Sequence, residues 1–168
     1  MPVRFLKQEN EVNSRSFPFN FETRKKMLES VFGNSITVSL NYSFQAPFKK
    51  YFPPLISLKS WSLRKQILQG IESDYFTYTG DKAEGLMLKL YRLNPKIGVR
   101  KSVSATDVKN KMYEVAKGNE SEWEKYMPEG IVQIINENWE TVRKFASTED
   151  MTKRIAGMKF PKEGYDSK

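Results

Sequence analysis

The sequence predicts an α/β fold: a mostly parallel sheet joined by crossover helices. Short β-like runs alternate with helical patterns along most of the chain. The junctions carry turn signals, at Gly33-Asn34, Gly80-Asp81 and Asn94-Pro95. A length of 168 residues, ordinary apolar content and plentiful aromatics suit one compact domain with a core of useful size.

The elements follow in order. Residues 3–6 form a first short strand, and residues 7–18 are polar and loop-like. Asn20 caps a helix over residues 21–32, in which Phe21, Met27, Leu28, Val31 and Phe32 recur at helical spacing. Gly33-Asn34 ends it. Residues 36–40 alternate and are rich in β-branched side chains, which predicts a strand. Residues 42–56, Y-S-F-Q-A-P-F-K-K-Y-F-P-P-L-I, hold three prolines and five aromatics, so a structured loop is expected there. A loop of this length is either functional or an aromatic flap packed on the core.

A helix over residues 58–71 offers Trp61, Ile67, Leu68 and Ile71 for packing. A strand over 75–79 ends at Gly80-Asp81, a helix over 83–93 ends at Asn94-Pro95, and a strand over 96–100 follows. That strand runs into the stretch 101–112, K-S-V-S-A-T-D-V-K-N-K-M, which opens a helix. Ser104 is placed as its N-cap, and Asp107 completes a capping-box pattern. Residues 120–127 read as a short acidic helix. Residues 129–146 read as a longer one, with Ile131, Ile134, Ile135, Val142 and Phe145 roughly in phase. Beyond Thr148 the chain is charged, with a weak helical pattern near 151–155 and a fraying end at 162–168. The expected organisation is therefore an α/β domain over residues 1–147 and a C-terminal tail over 148–168.

Composition excludes several kinds of chemistry. The net charge of +8 favours polyanionic partners, nucleotides and nucleic acids among them. No cysteine is present, which removes disulfides, thiolate nucleophiles and Cys-based metal sites. No histidine is present either, which removes imidazole acid–base catalysis, His-containing triads and His-based zinc sites. Chemistry must run on carboxylates, lysine, hydroxyls, backbone dipoles or an oxygen-held metal. No apolar run approaches a membrane span, and the N-terminus lacks a signal peptide's apolar core, so a cytoplasmic location and no membrane partner are expected.

The stretch at 101–112 is the first candidate site. A strand leading into a capped helix start presents backbone N–H groups and a positive dipole end, a setting that suits phosphate. Ser104, Thr106, Lys109 and Lys111 add hydroxyls and cations; as plain structure, Ser104 is a cap and the lysines are solvated. In open parallel sheets ligands bind at the carboxyl ends of strands. Polar clusters at 7–16, 79–82 and 101–109 fall on that edge. Trp61 is a stacking platform or a core residue; Asp81 suits a helix cap. Arg15 and Arg24 lie near this edge, and Glu120, Glu122 and Glu124 suit a solvated helix start.

S-A-T-D-V-K at 104–109 resembles the second signature, IS-x-T-x-x-R, of the nucleotidylyltransferase superfamily, and the likeness is nearest to the archaeal-type nicotinamide-nucleotide adenylyltransferases. Other pieces agree in order. Gln8-Glu9-Asn10 resembles the family's A-Q-E-S turn, and F-P-F-N-F-E-T-R at 17–24 is similar to its N-P-F-T-x-x-E-R helix start. Trp61 stands where the family places a tryptophan that stacks on nicotinamide. T-G-D at 79–81 resembles its S-G-N turn, and W-E-K-Y-M-P-E-G-I-V at 123–132 is similar to its W-x-x-L-V-P-x-x-V segment. The likeness spans about residues 3–146.

The resemblance implies a Rossmann-like, doubly wound parallel sheet with C-terminal helices, and adenylyl transfer from ATP to nicotinamide mononucleotide, forming NAD with Mg²⁺. Positioning and charge neutralisation would do most of the work. It places Ser104, Thr106 and Lys109 on ATP phosphates, and Trp61, Gly80 and Asp81 around the acceptor. No residue is assigned a catalytic or metal-binding role. Two departures stand out. Lys109 takes the place of an arginine and cannot offer its bidentate fork. The family's first signature, G-x-F-x-P-x-H-x-G-H, is missing together with the central first strand and helix that carry it, so the sheet is expected to be incomplete at the N-terminus. An upstream segment or a second chain would complete it. The alternatives are a degenerate nucleotide-binding subunit or fragment, and a basic nucleic-acid-binding protein using the aromatic loop at 42–52, for which no recognised motif is present.

Overall fold

The computed structural model describes residues 2–99, 102–155 and 157–166. Within it, two short β-α-β units are built from parallel strand pairs. Strand β1 (Arg4–Lys7) pairs in parallel with β3 (Ser43–Gln45), registering Phe5 with Phe44. On its other edge it pairs antiparallel with β2 (Asn10–Glu11), giving the order β2-β1-β3. Helix α1 (Phe21–Phe32) crosses between β1 and β3. Asn20 caps α1 as expected, its Oδ1 accepting from Thr23 N at 2.9 Å. At the far end Gly33 adopts φ +51° and closes the helix on the Glu29 carbonyl.

Helix α2 (Leu58–Ile67) leads to the second unit. There β4 (Thr77–Thr79) and β5 (Pro95–Ile97) pair in parallel across α3 (Lys82–Leu90). Gly85 lets α3 sit close on this pair, because a side chain there would run into Ile97. Among the described residues no strand joins β1 to β4, and the two units belong to separate small sheets. The protein is thus mixed α/β with some parallel pairing, and among the described residues no continuous doubly wound sheet is seen. Arg100 and Lys101, the expected end of the last strand and start of the phosphate stretch, lie outside the described residues.

Several local expectations are corrected. Residues 36–40 form no strand; Ile36 and Leu40 are exposed, so nothing packs against their alternation. The strand lies instead at Ser43–Gln45, inside the expected loop, because fully buried Phe44 packs on Phe5. The rest of that loop is an aromatic flap: a 3₁₀ turn at Phe48–Tyr51 buries both of its rings. The acidic segment 120–127 holds only a 3₁₀ turn, Glu124–Tyr126. The long helix at 129–146 is two, α5 (Glu129–Glu137) and α6 (Trp139–Ala146). They break at Asn138, whose side-chain amide donates to the Ile134 carbonyl at 2.8 Å and so competes with the backbone ladder.

The largest correction concerns residues 148–166. The described residues there are not a tail, and 162–166 are not a fraying end. Strands β6 (Thr152–Ile155) and β7 (Met158–Pro161) form an antiparallel hairpin, followed by the short helix α7 (Lys162–Tyr165). Residues 151–155 are thus strand where a weak helix was expected; Ser167 and Lys168 lie outside the described residues. Phe160 is fully buried, and its ring lies among Phe5, Phe44, Phe48 and Phe52.

Two apolar cores result. One gathers Phe5, Phe44, Phe48, Leu63, Met87 and Phe160 around the short sheets. The other gathers Phe19, Met112, Tyr113, Trp123, Ile135 and Val142 between α4 (Ala105–Ala116), α5 and α6. The segment from Val12 to Phe19 runs between them and contributes to both. Among the described residues no helix is long and apolar enough to cross a membrane.

Candidate functional site

The expected site residues do not all converge. Ser104 caps α4 in a complete capping box: its hydroxyl accepts from Asp107 N at 3.2 Å and donates to Asp107 Oδ2 at 2.6 Å. Thr106 is exposed on the first turn. Lys109 turns away from that helix end and donates to the Ser16 carbonyl. Asp81 caps α3, accepting from Ala83 N at 2.8 Å and Glu84 N at 3.1 Å. Gly80 and Asp81 border a cavity of about 390 Å³ with Ile97 and Val99 at the carboxyl ends of β4 and β5. Trp61 is apart from them. Its ring lies beneath the Arg92 guanidinium at 5.1 Å, beyond the carboxyl end of α3, whereas Asp81 holds the amino end. The nine residues of α3 separate them by about 13 Å of helix.

Two of the resembled motifs do meet. The turn after β1, with Gln8 and Asn10, faces the start of α1, with Pro18, Asn20 and Thr23, across a cleft of about 700 Å³. Asn138, Thr141 and Lys144 of the α5–α6 region form the opposite wall. The lining combines neutral amides and hydroxyls, groups that both donate and accept hydrogen bonds, with the charged side chains of Lys7, Glu11, Lys144 and Glu163. It lies at the carboxyl end of β1, where open α/β structures place their ligands.

Glu11 organises this cleft. Its side chain is 13% exposed; Oε1 accepts from Arg24 Nη2 and Oε2 from Phe21 N, both at 2.8 Å. Arg4 Nε stands 3.8 Å from the same carboxylate. Glu11 therefore occupies the positive end of α1 that a phosphate could otherwise take. Burial lowers the Arg24 pKa, and the charge and hydrogen bond of Glu11 raise it in opposition. Arg24 also donates to the Val3 carbonyl at 2.7 Å, so it is neither solvated nor turned to a ligand.

A second polar cluster forms around Ser16, where the chain passes between the cores. Ser16 N and Oγ donate to Asp150 at 3.1 and 2.9 Å. Lys159 Nζ donates to Ser16 Oγ at 2.6 Å and lies 3.5 Å from Asp150 Oδ2. Tyr113 OH donates to the Arg15 carbonyl at 2.7 Å. The Arg15 guanidinium lies over the Tyr113 ring and donates to the Ala146 and Thr148 carbonyls at 2.9 and 3.2 Å, at the end of α6. Burial tends to raise the Asp150 pKa, but the Ser16 hydrogen bonds and the Lys159 charge outweigh it and the shift is downward. Lys109 is pulled down to about 8, first by burial and then by Lys159, against the opposing charge of Asp150. Sequence reasoning missed Asp150 and Lys159 because they belong to the segment read as a tail.

The Lys109 shift has a measurable consequence. An unfolded lysine titrates near 10.4. Between pH 8 and that value the unfolded chain holds the extra proton, so stability rises with pH across this window. Below pH 8 both states are protonated and the cost of the buried ammonium is fully present. Urea denaturation at pH 7.5 and 9.5 should show the parent gaining about 2 kcal/mol relative to Lys109→Met. Equal gains in both proteins would remove Lys109 as the group responsible.

Among the described residues no three acidic side chains converge as a metal cage. Asp81 and Asp107 serve as helix caps. No step below passes through the Mg²⁺ that the resemblance implies. No family model, curated protein or solved structure matches the chain. The likeness to the adenylyltransferases rests on the sequence motifs alone.

Proposed function

We propose that this chain binds a nucleotide in the cleft between the turn after β1 and the start of α1. In this reading the neutral amides of Gln8, Asn10 and Asn13 face the base and sugar, and Lys144 meets the phosphates. The observation that carries it is the meeting of two resembled motifs, at 8–10 and 17–24, at the carboxyl end of β1. Adenylyl transfer from ATP to nicotinamide mononucleotide is the reaction that goes with this reading, and a cytoplasmic location with it. Binding has more support than transfer. Lys109 is committed to the Ser16 carbonyl, Ser104 to its capping box, and the chain holds no imidazole. A nucleotide-binding subunit without transfer activity is accordingly the favoured form of the proposal, with a further strand or chain required for turnover.

Isothermal titration calorimetry with ATP and with nicotinamide mononucleotide tests the reading. Binding of either, weakened about tenfold or more by Lys144→Glu through loss of a cation near phosphate, is the expected result. Absence of heat with both nucleotides would overturn it. Binding lost in Lys109→Met but intact in Lys144→Glu would move the phosphate site to α4. Pyrophosphate release by the chain alone would replace the binding subunit with an enzyme.

A further inference from the structure

The segment that leaves the aromatic flap and enters α2 projects apolar side chains into solvent. Ile56 is 77% exposed and Leu58 83% exposed, with Leu55 and Trp61 open beside them. The patch is held in place rather than loose. Trp61 Nε1 donates to the Leu55 carbonyl at 3.2 Å, and Ser57, between Ile56 and Leu58, caps α2 and donates to the Lys50 carbonyl. Pro53 binds the turn, its carbonyl accepting from Ile56 N and Ser57 N at 3.2 and 3.0 Å.

The segment that carries the patch has charge of one sign. From Ser30 to Ile71 the chain carries five cations, Lys49, Lys50, Lys59, Arg64 and Lys65, and no acidic residue. Lys59 is near enough to Lys50 for its charge, after burial, to lower the Lys50 pKa. Arg92 adds a guanidinium over the Trp61 ring.

We propose that this patch docks the protein on an anionic lipid bilayer: Ile56, Leu58 and Trp61 enter the interfacial layer, and Lys50, Lys59 and Arg92 meet the anionic headgroups. Protruding aliphatics, an indole and a ring of cations match what a bilayer surface accepts. The occupant follows from the charge. A second copy in a two-fold contact would bring the same cations face to face. A nucleic acid would satisfy the cations, but Ile56 and Leu58, the most exposed side chains of the patch, offer no ring for bases to stack on, and the Trp61 ring is already covered by the Arg92 guanidinium. The contact is peripheral and independent of the nucleotide reading.

Flotation with phosphatidylcholine vesicles, with and without phosphatidylserine, tests it. The protein should float with the phosphatidylserine vesicles, far less with phosphatidylcholine alone, and less as salt rises. The double variant Ile56→Asn with Leu58→Asn should partition at least about tenfold less, from the lost burial of two aliphatic side chains. Lys59→Glu should weaken binding to the phosphatidylserine vesicles specifically. Both variants change exposed side chains, and unchanged circular dichroism and Tm show that they fold. The proposal is overturned by no flotation at any composition, or by equal flotation of parent and aliphatic variant. It is equally overturned if sedimentation shows a dimer that Leu58→Asn dissociates, or if oligonucleotides bind tightly through the patch while vesicles do not.

Discussion

Phe160→Ala is expected to destabilise the protein by about 4 kcal/mol, near the top of the range for large-to-small core substitutions. The Phe160 ring is fully buried, with centroids 5.3 Å from Phe44, 5.4 Å from Phe5, 5.5 Å from Phe52 and 6.0 Å from Phe48. Truncation removes its transfer free energy and leaves a cavity that the neighbouring rings cannot readily collapse into, since Phe5, Phe44 and Phe48 are held by further ring contacts. Urea denaturation of Phe160→Ala beside Lys153→Ala, an exposed change on the same hairpin, measures the effect. The first should lose a large share of the stability of a typical domain and the second almost none. A loss below about 1 kcal/mol for Phe160→Ala would mean that the hairpin does not belong to the cooperative core.

Phe160 also shows where sequence reasoning fails in this protein. Its flanks, T-K-R-I before and M-K-F-P around it, are too short and too charged to display a period, so nothing local signals a strand. The pairing of β6 with β7 and the burial of one aromatic side chain decide the outcome, and both are tertiary. The same competition moved the strand from 36–40 to Ser43–Gln45: better local β-propensity lost to the fit of Phe44 against Phe5. Elements with strong local signals were legible. Asn20, Asp81 and Ser104 cap the helices they were expected to cap, each satisfying N–H groups within its own turn. The candidate site was legible in part. The two motifs at 8–10 and 17–24 share a cleft because the short strands β1 and β2 fold the chain back on α1. Ser104, Trp61 and Gly80-Asp81 carry signals that are equally local, but nothing in the sequence fixes the spacing between elements. The structure sets Trp61 at the opposite end of α3 from Asp81.

Glu11→Ala is expected to cost about 3 kcal/mol, the loss typical of breaking a largely buried ion pair from one side. The carboxylate holds Arg24 and the Phe21 amide at 2.8 Å each and stands 3.8 Å from Arg4. Without it two partly buried guanidiniums repel one another, and the first amide of α1 loses its acceptor. Glu11→Gln keeps the shape and an acceptor but not the charge, so a smaller loss is expected. The double variant Glu11→Leu with Arg24→Met should recover part of the stability, because removing both charges relieves the desolvation of each while Arg4 and the Phe21 amide still lack the carboxylate. If the double variant is as unstable as Glu11→Ala, shape rather than charge governs the site. The cleft supplies a separate readout. Glu11 ties the turn after β1 to the amino end of α1, and these are two walls of the proposed nucleotide site. Glu11→Gln, still folded, should therefore bind nucleotide more weakly than the parent while Lys159→Gln, at the Ser16 cluster, does not. Equal affinity in all three proteins would separate the Glu11 ion pair from ligand binding and leave it a role in stability alone.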